Sequence, residues 1–391
     1  NNLYIFQCRP LKTIAKADDY KIKEALVNIS KKIKKIKNKI PGLPGKTTYF
    51  ANMSDWNPAE MIGVRPTPLS ISLYSELITD EIWAEQRSLY GYQDVRPNPL
   101  MLSLAGFPYI DLRVDFNSFL PGKLPHKIKE KLINFYLNEV KNKPHMQDKI
   151  EFEIVETCYD LNSKKRLNKV LSKRETNIYL KNLKEITNHI LSKESNFLDN
   201  EIKKIKYLEK KIEIIKKSNI SEIQKIYFYI MDCKKFGTLP FAGLARSAFI
   251  STKMLRTLVE SKVLDQKDFE NFYESIFSIT KEMGMYFKKI SNVRNKNNFL
   301  KIYGHLRPST YSIISKNYSE NFNKYFPKKL KYKALPNKNF NLTKNQKNKI
   351  NKIFSSHKLR FNSDHFFEFA SKSIKYREYS KLIFTKSINE V

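Results

Sequence analysis

The spacing of apolar residues is the feature that most constrains the fold of this 391-residue chain. Between residues 18 and 40, apolar side chains recur at steps of three and four, as one face of an amphipathic helix requires, and Pro41-Gly42 ends the run. The same period recurs over most of the chain beyond residue 170. The ranges predicted to be helical are 18–40, 69–90 with a break near Thr79, 125–142, 173–191, 196–217, 220–235, 240–260, 266–290, 343–356 and 362–384. The predicted fold class is mainly α with a small β element.

The minor β element is predicted from three short segments. Residues 3–8, 108–116 and 149–157 are rich in β-branched and aromatic residues or alternate between polar and apolar ones. The second and third segments are predicted to pair as a small sheet around the helix at 125–142.

Three charged residues of the segment 108–116 would share one face of a strand. Strand side chains alternate in direction, so Asp111, Arg113 and Asp115 would lie opposite the apolar residues between them. Two interpretations stay open, a charged cleft wall and a solvated strand edge.

The charge balance is strongly basic, with 72 Lys and Arg against 39 Asp and Glu and a formal net charge of +33. A nucleic-acid-binding protein concentrates such charge on one face or stripe. Here residues 43–126 hold nine acidic and six basic residues, a net charge of −3, and the excess is spread over the rest. Most of the cations are lysines, and they occur together with Ile and Asn. An AT-rich genome encodes this composition on any solvated helix face. A solvated surface is therefore favoured over a polyanion-binding site.

Composition also bears on protein class and compartment. Hydrophobic residues make up 41% of the chain, including 26 Phe and 22 Tyr, which is too many for a disordered basic tail. No window approaches the ~18 consecutive apolar residues of a membrane span. Three widely separated cysteines form neither a disulfide framework nor a zinc pattern, which favours the reducing cytoplasm. No signal peptide is expected, because the first residues lack a charged region followed by an apolar core.

The common catalytic motifs are missing from the sequence. GLPGKTT at 42–48 is similar to a phosphate-binding loop, but it lacks the first glycine of GxxxxGK[ST] and follows a Lys-rich helix. The six histidines include no HExxH pair and no ligand-spaced partner cysteine, so no metal site is predicted. A GxSxG nucleophile elbow is also missing, which leaves acyl transfer unsupported.

Further polar clusters supply candidate binding residues. They are Asp55, Asn57, Glu60 and Arg65 in the proline-rich segment 54–70, Arg246 in the small-residue helix within 236–264, and His305 and Arg307 before a proline in the segment 303–313. Arg246 lies in an apolar run, and a buried guanidinium needs a carboxylate or phosphate partner because it cannot be neutralised. The cations and hydroxyls of the third cluster suit an anion, with a plain structural turn as the alternative.

Several strings carry a resemblance to a known enzyme family. In chain order they are QCRPL, SDWNPAEMIG, LYSELITDEIWAEQRSLYGY, PYIDLRVDFNSFLP, EFEIVETCYDL, FGTLPFAGLARSAFI, GHLRPSTYSI and KYREYSKLIFT. Together they resemble the phosphotransferases related to phosphoenolpyruvate synthase, pyruvate phosphate dikinase and rifampin phosphotransferase. Within that group they are most similar to the L-glutamine kinases of capsular phosphoramidate biosynthesis. The resemblance extends over nearly the whole chain.

The resemblance implies a domain organisation. In that family a nucleotide-binding domain ends in a strand with Gln-x-Arg-Pro, whose Gln and Arg serve ATP and its Mg²⁺; here these are Gln7 and Arg9. Residues 1–12 would be that last strand, 13–360 a multi-helix acceptor-binding domain, and 361–391 a helix leading to a phosphohistidine domain. No Ser-His-x-Ala motif for the phosphohistidine occurs among the six histidines. No catalytic residue is therefore expected in this chain, which alone should be inactive.

The resemblance further implies a cytoplasmic ATP-dependent relay. ATP phosphorylates a mobile histidine with release of AMP and phosphate, and the histidine delivers the phosphoryl group to the acceptor, here L-glutamine. The expected partners are the acceptor and the two adjoining domains, without nucleic acid or a membrane span.

Hypothetical roles can be divided among the charged candidates. The cations Arg65, Arg113, Arg246 and Arg307 would bind the α-carboxylate or the phosphoryl group, and the acids Asp55, Glu60, Asp111 and Asp115 would bind the ammonium or orient the amide. Two alternatives stay open, the same relay with another small-molecule acceptor and a basic nucleic-acid-binding module. A pyruvate-type acceptor is less favoured, because the chain has no βα alternation to build a barrel.

Overall fold

The structure is a computed structural model that describes residues 19–288, 290, 293–326 and 339–391. Within these ranges the chain is mainly helical and has one three-stranded sheet. The predicted fold class is confirmed. The predicted strand at 3–8, with Gln7 and Arg9, lies outside the described residues.

The helices of the described ranges include five that were not predicted, the longest of them Val293–Tyr303, while most of the other long ones follow the predicted pattern. They are α1 (Asp19–Lys37), α2 (Pro58–Met61), α3 (Pro68–Tyr74), α4 (Ile82–Leu89), α5 (Leu112–Asn117), α6 (His126–Asn142), α7 (Ser163–Leu167), α8 (Lys173–Leu191), α9 (Phe197–Lys217), α10 (Glu222–Asp232), α11 (Leu239–Glu260), α12 (Gln266–Ser275), α13 (Ile279–Lys288), α14 (Val293–Tyr303), α15 (Phe322–Tyr325), α16 (Lys344–Ser356) and α17 (Ser363–Glu390). Capping boxes at Ser172, Ser221 and Thr343 begin α8, α10 and α16, each close to the predicted start.

Wider π-helical turns interrupt this regular pattern. One spans Ser75–Thr79 between α3 and α4, which confirms the predicted break near Thr79. Others span Ile150–Ile154 and Cys233–Thr238, the latter joining α10 to α11. Such turns are frequent at functional sites.

The sheet consists of β1 (Phe50–Ala51), β2 (Met101–Leu104) and β3 (Phe107–Asp111). β3 lies in the middle and pairs antiparallel with both neighbours. Ala105 and Gly106 form the two-residue turn that joins β2 to β3. Their φ angles of 51° and 83° are both positive, as a hairpin turn with the right-handed twist of its strands requires.

Two strand predictions are wrong in part or in whole. Only the first part of 108–116 is extended, because the Asp111 side chain accepts hydrogen bonds from the backbone N–H groups of Arg113 and Val114 and so begins α5. Residues 149–157 do not pair with β3, because Ile150–Ile154 is a π-helical turn. The proposed shared face of Asp111, Arg113 and Asp115 is therefore also wrong, since the last two lie on a helix.

The single helix predicted at 266–290 is two helices, α12 and α13. Its start is as predicted, with Asp265 forming a capping box with Asp268. Ser278 then begins a new helix, because its side chain accepts from the backbone N–H of Lys281 at 3.4 Å. The two helices pack against different apolar clusters, α12 through Phe272 in the main core and α13 through Met283 beside Phe299, and the period of three and four residues does not reveal this division.

Three long helices, α9, α11 and α17, form the centre of the molecule and pack against one another. The small residues of α11 make this packing close, as predicted. A Cβ added at Gly243 would lie 3.2 Å from Glu201 Cγ on α9 and 2.5 Å from the Tyr90 hydroxyl. On one side of this centre α4 packs against α11, and Trp56 of the loop before α2 contacts Phe241 of α11.

None of the described helices combines the length and the apolar character needed to cross a bilayer.

Candidate functional site

A cavity of about 380 Å³ lies where the loop before α2, α4 and α11 meet. The segment after α6 closes another side, with Asp148 and Glu151. This volume falls in the range of small-molecule sites. The residues that line the cavity include Ser54, Asp55, Trp56, Asn57, Glu60, Gln86, Arg87, Asp148, Glu151, Phe241, Arg246 and Phe249.

Aromatic rings form the apolar part of the cavity. The Trp56 ring meets Phe241 edge to face at 5.7 Å, and Phe241 stacks on Phe384 of α17 at the same distance. Trp56 has a φ of 57°, an uncommon conformation for a large side chain, and the Tyr74 hydroxyl donates to its carbonyl. A strained residue held in place in this way is typical of a functional site.

Arg87 on α4 connects the polar side chains on one side of the cavity. Its guanidinium pairs with Asp55 in the loop and, at 3.2 Å, with Asp115 on α5. It also donates to Ser118, and its carbon Cζ lies 3.8 Å from the centre of the Phe119 ring. Arg87 is therefore fully used by the protein and fixes the position of Asp55.

Asp115 lies behind Arg87 and is completely buried. Burial, followed by the nearby Asp55 carboxylate, raises the pKa of Asp115 to about 8 in spite of Arg87. Its Oδ2 atom has no hydrogen-bond partner. The Asp115 carboxyl therefore favours its protonated form more strongly than an exposed Asp does, beside the Arg87–Asp55 pair.

Arg246 on α11 is the second guanidinium of the cavity, and its environment differs from that of Arg87. It is only 4% exposed, and no carboxylate of the described residues lies within ion-pairing distance of it. Its Nη1 atom has no hydrogen-bond partner, while its Cζ lies 4.7 Å from the centre of the Phe119 ring. A buried guanidinium in this state lacks the anion that such a group requires.

Acidic side chains surround the other side of the cavity. Glu60 and Asp148 are exposed at its edge, and Glu151 is partly buried. Burial, with the repulsion of Asp55, raises the pKa of Glu151. With Asp55, the lining holds four carboxyl groups and two guanidiniums, so it is acidic in a chain whose net charge is +33.

The structure brings together five of the residues predicted from sequence. Asp55, Asn57, Glu60 and Arg246 line the cavity, and Asp115 lies directly behind it. Asn57 also accepts from the backbone N–H of Glu60 and so begins the short helix α2.

Two more of the predicted residues have a structural role beside the sheet. The Asp111 carboxylate accepts from Thr48 Oγ1 at 2.6 Å as well as from the first turn of α5. Arg113 is buried and donates to the carbonyls of Ile36 and Asn38 at the end of α1, at 2.7 and 2.9 Å. Neither side chain lines the cavity.

The remaining predicted residues of the described ranges also lie away from the cavity. Arg65 is exposed and lies over the Phe107 ring at 5.4 Å. His305 Nε2 is 3.1 Å from the Leu382 carbonyl, and burial lowers the pKa of His305 to about 4, so it donates as a neutral imidazole. Arg307 donates to Asn389, which ties the turn after α14 to the end of α17. This is the structural turn that the sequence left open.

Sequence reasoning missed the Gln86-Arg87 pair and Glu151. The sequence did contain a signal for Arg87, which lies four residues after Trp83 and so on the same buried face of a helix. A cation in that position requires carboxylate partners. Glu151 was hidden by the incorrect strand prediction for 149–157.

A buried ionic cluster next to the cavity was also missed. Lys253 lies seven residues after Arg246 on α11 and pairs with Glu156 at 3.3 Å and Asp160 at 3.4 Å. Arg166 pairs with the same two carboxylates. Because every charge has a partner here, the cluster attaches the segment after Glu151 to α11 and offers no free group to a ligand.

The described residues contain no group of three or more His, Cys, Asp or Glu side chains placed to bind a metal ion.

Comparisons with known proteins assign no family to the chain. No protein-family model matches it, and neither a curated protein nor a solved structure has significant similarity to it.

Proposed function

We propose that this chain is the acceptor-binding part of an ATP-dependent phosphotransferase that works through a phosphohistidine relay, with L-glutamine as the acceptor. The observation that carries the proposal is the buried, unpaired guanidinium of Arg246 in an otherwise acidic cavity. Such a cavity is complementary to a molecule that has both an anionic and a cationic group.

An α-amino acid has both groups. Its carboxylate would bind Arg246, which supplies the missing partner of that buried cation. Its ammonium would lie toward Asp55 and Glu151, whose carboxyl groups line the same cavity. The ligand carboxylate would thus supply the anion that Arg246 lacks, and the ammonium would lie on the acidic side of the cavity.

The strings that resemble the glutamine kinases support the proposal by their position. SDWNPAEMIG supplies Asp55, the string at 73–92 supplies Arg87, EFEIVETCYDL supplies Glu151, and FGTLPFAGLARSAFI supplies Arg246. Segments that are far apart in the chain therefore contribute to one cavity.

In this proposal the chain positions the acceptor and provides charge, which is most of what phosphoryl transfer requires from an acceptor domain. ATP and Mg²⁺ would be bound mainly by an adjoining domain, to which Gln7 and Arg9 would contribute. The phosphohistidine would belong to another adjoining domain, so no catalytic residue is assigned here.

The test is an assay of the complete protein with ATP and a panel of amino acids and amides. AMP release and a new phosphorus resonance are followed. Glutamine should support both signals, and Arg246→Met should abolish them, because it removes the cation for the carboxylate. Arg65→Met, which removes a cation outside the cavity, is the matched control and should leave turnover unchanged. Failure of glutamine, or full activity of Arg246→Met, would reject the proposal.

A further inference from the structure

Two neutral polar groups of the cavity have no role in the charge arrangement described above. Ser54 is 3% exposed and Gln86 is 2% exposed, and both line the cavity. Neither Ser54 Oγ nor Gln86 Nε2 has a hydrogen-bond partner. Arg246 Nη1 is likewise without a partner among the described residues, so three residues that line one cavity each have an unpartnered polar atom.

Polar groups of this kind favour a ligand that satisfies their hydrogen bonds. A buried donor or acceptor without a partner is less favourable than an apolar group of the same shape. Gln86 and Ser54 directly precede Arg87 and Asp55, whose ion pair holds α4 and the loop before α2 together. The pair of groups is thus held in place but left without a partner.

We propose that Ser54 and Gln86 form a neutral subsite that binds the side-chain amide of the acceptor and rejects a side-chain carboxylate. The inference rests on the proposed function and deepens it by assigning specificity. The Gln86 Nε2–H group would donate to the amide carbonyl of the ligand, and the Ser54 hydroxyl has both a donor and acceptor sites for the same amide.

The charges around the subsite give the reason for discrimination. Asp55 adjoins Ser54 in the chain, and Glu151 lines the same cavity. A second carboxylate on the ligand would meet these negative charges without a cation to balance it, because Arg87 is already paired. A neutral amide makes the hydrogen bonds and avoids the repulsion, and specific sites commonly combine both effects.

The test is calorimetric titration of the 391-residue chain with L-glutamine, L-glutamate and L-norleucine. The unmodified chain should bind glutamine at least ~100-fold more tightly than glutamate, the range expected when a polar site meets a ligand with the wrong group. Gln86→Met should reduce this preference to a few-fold and should strengthen norleucine binding, because the apolar side chain no longer leaves a polar group unsatisfied. Ser54→Ala should reduce it less.

A matched control and a folding check make the outcome decisive. Thr176 also has a buried hydroxyl without a partner but lies on α8 outside the cavity, so Thr176→Val should keep the full preference. The melting temperature of Gln86→Met should equal or exceed that of the unmodified chain, because an unpartnered group is removed. If glutamine binds and both cavity variants keep the preference, the subsite is refuted and the proposed function stands. If the unmodified chain binds no amino acid, both are refuted.

Discussion

Replacing Arg113 with methionine distinguishes the role predicted for this residue from the role its contacts indicate. The sequence suggested a ligand-binding cation, whereas the guanidinium donates to the carbonyls of Ile36 and Asn38 at the end of α1. Carbonyls at this end of a helix have no partner within the helix. Arg113 is therefore expected to attach α1 to the sheet.

The magnitude follows from these contacts. Two hydrogen bonds from a charged donor contribute about 1.5–3 kcal/mol each, and a cation at a helix C-terminus adds ~0.3–1 kcal/mol. Methionine keeps much of the apolar stem, and it removes the buried Nε atom, which has no partner. The free energy that holds α1 in place should therefore fall by about 3 kcal/mol, a factor of ~100 in the opening equilibrium.

Hydrogen exchange of the α1 amides measures this opening directly. Exchange in Arg113→Met should be ~100-fold faster in α1 and nearly unchanged in α9, α11 and α17. Arg65→Met is the control for loss of a cation near the sheet, and its exchange should not change, because Arg65 is exposed. Unchanged protection of α1, together with weaker glutamine binding, would refute the structural role and restore the role predicted from sequence.

Three other substitutions test separate parts of the structure. Gly243→Ala should lower the free energy of unfolding by about 1–3 kcal/mol in urea titrations, because its Cβ would lie 2.5 Å from the Tyr90 hydroxyl; unchanged stability would contradict the packing. Lys253→Met should cost about 3 kcal/mol in the same assay, since Glu156 loses a buried partner. Asp115 keeps a proton up to about pH 8 in the folded chain, whereas an unfolded Asp loses it near pH 4. Stability should therefore fall as pH rises between these values, and Asp115→Asn should flatten that fall; an identical pH profile would disprove it.

The sequence by itself determined most of the long helices of the described residues. Apolar residues at steps of three and four reflect the burial of one helix face, and capping residues such as Ser172 act within four residues of the helix start. These are local interactions, so α8, α9, α11 and α16 begin and end within one residue of their predicted bounds. Arg246 was also recognised from local context, as a cation in an apolar run.

Only the tertiary structure decided which charged residues share the cavity. Asp111 and Arg113 lie in the same string as Asp115, yet hydrogen bonds to a helix start and to α1 engage the first two, and Arg87 brings the third behind the cavity. Asp111 also accepts from Thr48, so that each of the three residues has a partner 28 to 77 positions away in the chain. The physical reason is that a side chain's charge is local, whereas the partner that satisfies or exposes it is chosen by the packing of distant segments.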